Sequence, residues 1–175
     1  MLIAGVFRGE LGANPVETLT HETGQWGLRF LLITLSITPL RRLFRWNRLF
    51  SYRRMFGLFC FFYIFLHFLI YLVFDHYFDL RSIIEDIIER PYITVGFSGF
   101  VLLIPLAITS FNAIQRKMGR TWTKLHRLVY LIAILGVIHF WWLVKADILE
   151  PLIYGMILTL LLAIRFYYYR KRKAR

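Results

Sequence analysis

The stretch MFGLFCFFYIFLHFLIYLVF, residues 55–74, holds 20 positions without an aspartate, glutamate, lysine or arginine. A helix of about 20 mostly apolar residues is long enough to cross the hydrocarbon core of a bilayer. The same rule finds four more windows, at residues 24–43, 92–111, 125–144 and 151–169. The ten-residue alternation of a membrane β-barrel is not seen. The sequence therefore predicts an all-α membrane protein, a bundle of five transmembrane helices.

The composition of the whole chain agrees with a lipid environment. The 175 residues are 58% hydrophobic and 18% charged, with a mean hydropathy of +0.57. A soluble domain is about one quarter charged, and one core of this size could not bury so much apolar surface. The lone Cys60 excludes an intrachain disulfide and cysteine-ligated zinc or iron–sulfur sites. Redox chemistry in this chain must use a cofactor held by other ligands.

The formal charge of +12 fits either nucleic-acid binding or basic loops on one side of a membrane. Arginines and lysines concentrate in segments 41–54 and 115–127 and in the tail 165–175, whereas acids dominate segments 75–90 and 145–150. This alternation follows the spacing of the predicted spans, so membrane lipid is the expected partner and nucleic acid is excluded. The positive-inside rule places the basic loops and the C-terminus in the cytoplasm.

The chain is predicted to form a single domain over residues 1–175, with no internal repeat. Five spans with a cytoplasmic C-terminus leave residues 1–23 as an outer N-terminal segment. Either this tail crosses alone or an upstream helix is absent. Residues 165–175 form a basic cytoplasmic tail. Segment 80–90 predicts a short amphipathic surface helix, either a lid over the bundle or a docking surface for an outer partner.

Three histidines, His67, His126 and His139, fall inside predicted spans, where ionisable side chains mark functional sites. Two more, His21 and His76, are predicted in solvated outer loops. The spans that carry His67 and His139 both start inside, and each histidine comes 12 to 14 residues later. At about 1.5 Å per residue the two imidazoles reach the same outer depth.

Two imidazoles on facing helices at one depth suit a six-coordinate haem iron in the bundle core. Aromatic neighbours and the small Gly136, one turn before His139, favour a flat apolar ligand. The competing interpretation is that these histidines only form hydrogen bonds between helices.

The inner half of the bundle leaves three alternatives open. His126 lies near the inner edge, opposite Arg53 and Arg54. An arginine cannot bind iron, because its guanidinium stays protonated, but it can bind a phosphate or a haem propionate. The inner half therefore holds a second haem with His126 and an unidentified partner, an anionic cofactor such as a flavin phosphate, or nothing beyond helix-anchoring charges.

Several motifs together resemble the MsrQ/YedZ family, the haem-binding membrane subunit of the protein-methionine-sulfoxide reductase system, within the ferric-reductase-like transmembrane group. The motifs are LGANPVETLTHETG (11–24), FLLITLSITPLRR (30–42), RRMFGLFCFFYIFLH (53–67), ERPYITVG (89–96), QRKMGRTWTKLHRLVYL (115–131) and HFWWLVK (139–145). The resemblance covers the chain from Leu11 to Arg170. Family members usually have one more N-terminal helix, which this sequence lacks.

The resemblance implies haem b, one or two per chain, and FMN. His67 and His139 match the family's haem histidines, His126 matches the third, and Arg54 stands where larger relatives have a fourth. It implies a multi-pass protein of the bacterial inner membrane that passes electrons from a cytoplasmic flavin reductase or quinone. The recipient would be a periplasmic molybdopterin catalytic subunit, which makes this chain an electron-transfer subunit of an oxidoreductase complex and not its substrate-converting part.

Two rival functions remain at this point. A small-solute transporter or a non-redox assembly subunit would fold without any chromophore, although no acid lies deep in a predicted span to favour proton coupling. A ferric reductase would act directly on an outer metal ion, with no need for a molybdopterin partner.

Overall fold

The computed structural model describes residues 14–144 and 148–174, and every element in these ranges is helical. Lys145 and Asp147, which the charge argument used, lie outside the described residues, as do residues 1–13. The elements are α1 (Pro15–Phe44), a 3₁₀ helix (Asn47–Tyr52), α2 (Arg53–Ile70), a π turn (Tyr71–Asp75), α3 (Leu80–Glu89), α4 (Pro91–Ile108), α5 (Asn112–Met118), α6 (Arg120–Leu125), α7 (Leu128–Leu143) and α8 (Leu149–Lys173). The predicted all-α class is confirmed.

Among the described residues, four helical segments are long and apolar enough to cross a membrane. They are Asn47–Asp75, Pro91–Ile108, Arg120–Leu143 and Leu149–Lys171, and they correspond to four of the five predicted windows. The fifth window lies in α1, which is 30 residues long but contains Arg29, Arg41 and Arg42. These charges and several polar residues lower its hydropathy, so a span formed by α1 stays a prediction.

Helix α1 begins nine residues before the predicted window, and local chemistry explains why. The Asn14 side chain caps the helix by accepting a hydrogen bond from the backbone N–H of Glu17, and Pro15 occupies the first turn. Both features favour a helix start, because Asn satisfies an orphan N–H and Pro needs no donor there. As a result, residues 15–23 of the predicted outer segment are helical.

The helices form two antiparallel pairs with α8 against them. Helix α1 packs along α2, α4 packs along α7, and α8 contacts both α1 and α7. Leu35, Cys60 and Ala133 are almost completely buried at the centre, with at most 1% of each residue exposed. Large apolar side chains such as Phe62 and Leu160 are more than half exposed, as expected where lipid is the solvent.

One arginine of the predicted tail belongs to the bundle. Arg165 donates hydrogen bonds to the backbone carbonyl of Leu35 (2.6 Å) and to the Tyr130 hydroxyl (2.7 Å). The Leu35 carbonyl needs a donor because its helical partner four residues on is Pro39, which has no N–H. Since α8 continues to Lys173, the segment from residue 165 onward starts as a packed helix rather than as a free tail.

The inner basic segment differs from the expected simple loop. Helix α4 ends at Ile108, and residues 112–125 form the two short helices α5 and α6. Within the segment Arg120–Leu143, the α-helical hydrogen bonding gives way at His126 and Arg127 to i→i+3 bonds, where α6 ends and before α7 begins. His126 therefore sits in a tight turn between the two helices.

Candidate functional site

A cavity of about 610 Å³ lies between the two helix pairs, and α3 covers one side of its mouth. Cofactor pockets commonly fall in the range of about 300–1,000 Å³. Its walls come from α1, α2, α4 and α7. The apolar side chains that line it include Leu28, Leu31, Cys60, Ile64, Phe68, Phe100, Leu103, Ile132 and Phe140.

Two histidines face each other across this cavity. The ring centroids of His67 on α2 and His139 on α7 are 6.2 Å apart, and the ring planes make an angle of 78°. The sequence predicts both imidazoles at one depth, and the structure brings the two rings together. We call this end of the two helix pairs the histidine end.

Each of these imidazoles is fixed by a backbone carbonyl of the neighbouring helix. Nδ1 of His67 lies 2.8 Å from the carbonyl oxygen of Thr20, and Nδ1 of His139 lies 2.7 Å from that of Tyr92. A carbonyl only accepts hydrogen bonds, so Nδ1 must carry the proton in both rings. Within the described part of the chain, neither Nε2 atom has a hydrogen-bond partner. Both Nε2 atoms are therefore available as electron-pair donors.

This donor set fits an iron porphyrin. Two imidazoles that bind one metal from opposite sides, each through a bond of about 2 Å, have ring centroids roughly 6 Å apart. Metal-binding histidines usually donate their other ring N–H to a carbonyl or carboxylate, as both rings do here. In the described residues no group of three or more His, Cys, Asp or Glu side chains could hold a metal ion alone. Two donors suit a metal whose remaining ligands come from a macrocycle.

Polar residues surround the mouth of the cavity, and the predictions for two histidines were wrong there. His21 lies in α1 and lines the cavity, because α1 starts earlier than predicted. The His76 side chain is only 10% exposed, because Nδ1 bonds Ser82 and Nε2 lies 3.2 Å from a carboxylate oxygen of Asp86. Neither histidine is a solvated loop residue.

Asp86 connects α3 to the end of α2. Its carboxylate accepts from the Tyr71 hydroxyl (3.1 Å) and from Nε of Arg90 (2.8 Å), in addition to its contact with His76. A hydrogen bond with the Tyr92 hydroxyl and the charge of Asp86 raise the pKa of Arg90 above its ordinary value. The predicted amphipathic helix is present, and this network attaches it over the cavity mouth.

At the opposite end of the helix pairs, His126 is engaged with the turn that follows α4. Its Nε2 lies 3.0 Å from the Thr109 hydroxyl, and its ring stacks on Trp122 with a centroid separation of 3.9 Å. The Trp122 indole N–H donates to the backbone carbonyl of Thr109 at 2.8 Å. We call this end, built around residues 109–112, the turn end.

Arg54 binds the same turn. Its guanidinium donates to the Ser110 carbonyl (3.2 Å) and to the Asn112 side-chain oxygen. Neither Arg54 nor His126 lines the cavity that holds the facing histidines. The structure therefore separates the predicted site residues into two groups, the pair His67 and His139 and the pair His126 and Arg54.

The two helix pairs are related by an internal repeat, contrary to the prediction from the sequence. Thr20 and Tyr92 are 72 residues apart, as are His67 and His139, so each imidazole bonds a carbonyl 47 positions earlier in the chain. The same offset relates the glycine pairs Gly24 with Gly96 and Gly27 with Gly99, and it relates Arg54 to His126. Few residues are identical between the two helix pairs, so the common offset of 72 residues is recognised only from the contacts in the structure.

Comparisons with known proteins agree with this architecture. The family "Ferric reductase like transmembrane component" matches residues 23–137. A protein of Herminiimonas arsenicoxydans, "Protein-methionine-sulfoxide reductase heme-binding subunit MsrQ", is 54% identical over 93% of this chain and 77% of its own length. Proteins of the same description are 52% identical in Rhodospirillum rubrum, over 90% of this chain and 76% of their own, and 49% identical in Caulobacter vibrioides, over 89% and 75%.

No solved structure matches the chain. The family match covers well over half of the residues, including His67 and His126, and the relatives align along most of both chains. The chain therefore belongs to the MsrQ family of the ferric-reductase-like transmembrane group.

Proposed function

We propose that this protein is the haem-binding, electron-carrying membrane subunit of a protein-methionine-sulfoxide reductase. The observation that carries the proposal is the pair of imidazoles of His67 and His139, with ring centroids 6.2 Å apart in an apolar cavity. The descriptions of the relatives support the same function, since each names a heme-binding subunit of that reductase.

His67 and His139 would hold the iron through their Nε2 atoms. When bound, haem accepts and releases single electrons at an iron whose potential depends on its axial ligands and its surroundings. The chain's own residues prepare that site. The carbonyls of Thr20 and Tyr92 hold the Nδ1 protons, which keeps Nε2 unprotonated and fixes each ring. The apolar walls around the two histidines would limit the access of water to the bound group.

The proposal includes the type of haem, the membrane and the orientation of the chain in it, and the electron donor and acceptor. The haem is of type b, as the family resemblance implies. A c-type haem does not fit, since Cys60, the lone cysteine of this sequence, is buried in the core cluster and cannot supply the paired attachment. The protein lies in the bacterial inner membrane with its C-terminus in the cytoplasm, which the positive-inside rule supports. Electrons arrive from a cytoplasmic flavin reductase or from quinone and leave to a periplasmic molybdopterin subunit. The histidine end then faces the periplasm, close to the recipient.

A second haem at His126, the role of Arg54 there and an FMN site stay predictions. The transporter and assembly-subunit alternatives lack support from the relatives, whose descriptions name haem binding. Direct ferric reduction differs from the proposal in one respect, because it needs no catalytic partner.

The test is the visible spectrum of the full chain purified from haem-replete cells. We expect the absorption bands of a six-coordinate b haem that is reduced by dithionite. His67→Ala and His139→Ala should each abolish the bands of this haem, because one remaining imidazole leaves an axial position without its ligand. His21→Ala and His76→Ala are the matched controls, since both histidines lie at the mouth of the same cavity.

The proposal fails if the purified protein is colourless, or if the two ligand variants keep the wild-type spectrum. Loss of the bands in the control variants to the same extent would also contradict the assignment of ligands. A reconstituted assay then separates the rival redox function. Electron delivery to ferric citrate without a molybdopterin partner, at the rate seen with one, would favour a direct ferric reductase.

A further inference from the structure

Both facing histidines pack against a glycine on the helix that supplies their carbonyl partner. Gly24 follows Thr20 by one helical turn, and Gly96 follows Tyr92 by the same spacing. A Cβ atom at Gly24 would lie 3.1 Å from Nδ1 of His67. A Cβ atom at Gly96 would lie 2.7 Å from Nδ1 and 3.0 Å from Cγ of His139. Each imidazole therefore occupies the space that a side chain would fill.

The position of the glycine explains how a helix carbonyl can accept an extra hydrogen bond. In an α-helix the carbonyl of residue i already accepts from the N–H of residue i+4. The side chain of residue i+4 points toward the helix N-terminus and covers the preceding turn. Because residue i+4 is glycine in both helices, the carbonyls of Thr20 and Tyr92 stay open to the incoming Nδ1–H.

The two contacts differ in how closely the ring approaches. At Gly24 only the nearer ring atoms, Nδ1 and Cε1, would meet a Cβ, at 3.1 and 3.2 Å, while Cγ lies 3.8 Å away. At Gly96 all three of these ring atoms would lie within 3.0 Å. The His139 ring cannot avoid that contact by tilting, since Cγ at its base would lie nearly as close (3.0 Å) as Nδ1 at its edge (2.7 Å). A methyl group at Gly96 must therefore displace the whole imidazole.

From these contacts we propose that Gly24 and Gly96 are positioning residues for the two iron ligands. They set the tautomer and the orientation of His67 and His139 by keeping one carbonyl on each partner helix accessible. This inference rests on the proposed function, because it concerns how the chain presents donors to haem. It adds two residues that bind nothing themselves and that act through the histidines.

The experiment compares alanine variants of four helix glycines in the full chain, using haem retention and the low-spin ferric EPR signal. Gly96→Ala should weaken haem retention by about tenfold, the lower bound for lost outer-shell support of a metal ligand. Its EPR signal should also shift, because the g values report the angle between the imidazole planes, which is 78° here. Gly24→Ala should change both readouts in the same direction by less.

Two controls separate positioning from packing. At Gly57 a Cβ would come no closer than 4.0 Å to Thr34, so Gly57→Ala should behave as wild type. At Gly27 a Cβ would overlap the Ile64 side chain and touch no histidine. Because Ile64 lines the cavity, Gly27→Ala should lower the thermal midpoint and move the EPR signal much less than Gly96→Ala does. If Gly96→Ala does not accumulate, Gly24→Ala carries the test.

Wild-type haem retention and EPR in Gly24→Ala and Gly96→Ala would overturn the inference. An EPR shift in Gly27→Ala equal to that of Gly96→Ala would do the same, because packing alone would then explain it. The proposed function fails separately, when His67→Ala and His139→Ala keep their haem. Retention in the glycine variants with loss in the histidine variants refutes only the positioning role.

Discussion

The histidine end and the turn end of the two helix pairs come from the same repeat, but they use it differently. At the histidine end the repeat places an imidazole on each pair, and each Nδ1 bonds a carbonyl so that both Nε2 atoms remain available. At the turn end the equivalent positions are Arg54 and His126, and both bind residues 109–112.

This difference shows what a shared metal requires from a repeated fold. Two equivalent helix pairs can place two equal donors on opposite sides of one atom, provided that neither donor is used in holding the fold. That condition holds only at the histidine end. At the turn end a guanidinium replaces one imidazole, and the other imidazole lies against Trp122 and Thr109.

The largest expected effect is the difference between the two ends. His67→Ala and His139→Ala should each abolish the bands of their haem, whereas substitutions at the turn end should not. His126→Ala and Arg54→Ala should keep the haem that depends on His67 and His139, because neither residue lines their cavity. Difference spectra of the purified variants measure this directly. Any absorbance that is lost in both turn-end variants and kept in His67→Ala would reveal a second haem. If His126→Ala removed the same bands as His67→Ala, the two ends would not be independent.

The next effect concerns the network that attaches α3 over the histidine end. Asp86→Ala removes the shared acceptor of Tyr71 and Arg90 and the neighbour of His76, so we expect a loss of about 1.5–3 kcal/mol, typical of hydrogen bonds to a charged group, in the attachment of α3. Hydrogen exchange of the α3 amides, followed by mass spectrometry, reports this local opening.

Glu85→Ala is the matched control for that variant. Glu85 is the neighbouring residue, and its pair with Arg81 is exposed, with side chains 56% and 87% accessible. Such a pair contributes about 0.3–0.5 kcal/mol at most. Equal exchange rates in Asp86→Ala and Glu85→Ala would show that the buried network does not hold the helix.

The histidine pair could be predicted from the sequence because the rise per residue of an α-helix is nearly constant. Counting residues from the inner edge of two spans was enough to place His67 and His139 at one level. The contacts that fix the rings were not accessible in this way, since Thr20 and Tyr92 contribute only backbone carbonyls, which any residue type could supply. Gly24 and Gly96 were visible in the sequence as glycines inside helices, but their role depends on how the neighbouring helices pack.

The incorrect predictions for His21 and for the helix around His126 have a similar physical origin. His21 was placed in a loop because the apolar window starts late, whereas the helix starts at its cap, and the pattern Asn14-Pro15 followed by Glu17 could have revealed this. The interruption at His126 was missed because hydropathy averages over a window and does not detect a turn of two residues.

The smallest effect tests whether His126 serves the fold at the turn end. Thr109→Val keeps the shape of the side chain and removes the hydroxyl that lies 3.0 Å from Nε2 of His126. The same hydroxyl donates to the Pro105 carbonyl of its own helix (2.6 Å), and that bond is lost too. The bond shared with His126 contributes about 0.5–1.5 kcal/mol, so we expect a thermal midpoint lower by a few degrees. The bond from the Trp122 indole to the Thr109 carbonyl remains, which limits the loss.

Thr159→Val is the control for that substitution, because among the described residues the Thr159 hydroxyl bonds only the Gly155 carbonyl of its own helix. Its midpoint should match wild type. The haem spectrum should be unchanged in both variants, since the histidine end does not use this turn. A stable Thr109→Val protein that gains absorbance would mean that the released Nε2 of His126 takes up haem, and the turn end would then be a masked second site. A protein that loses the bands of the His67 and His139 haem would show instead that the two ends are coupled through α4.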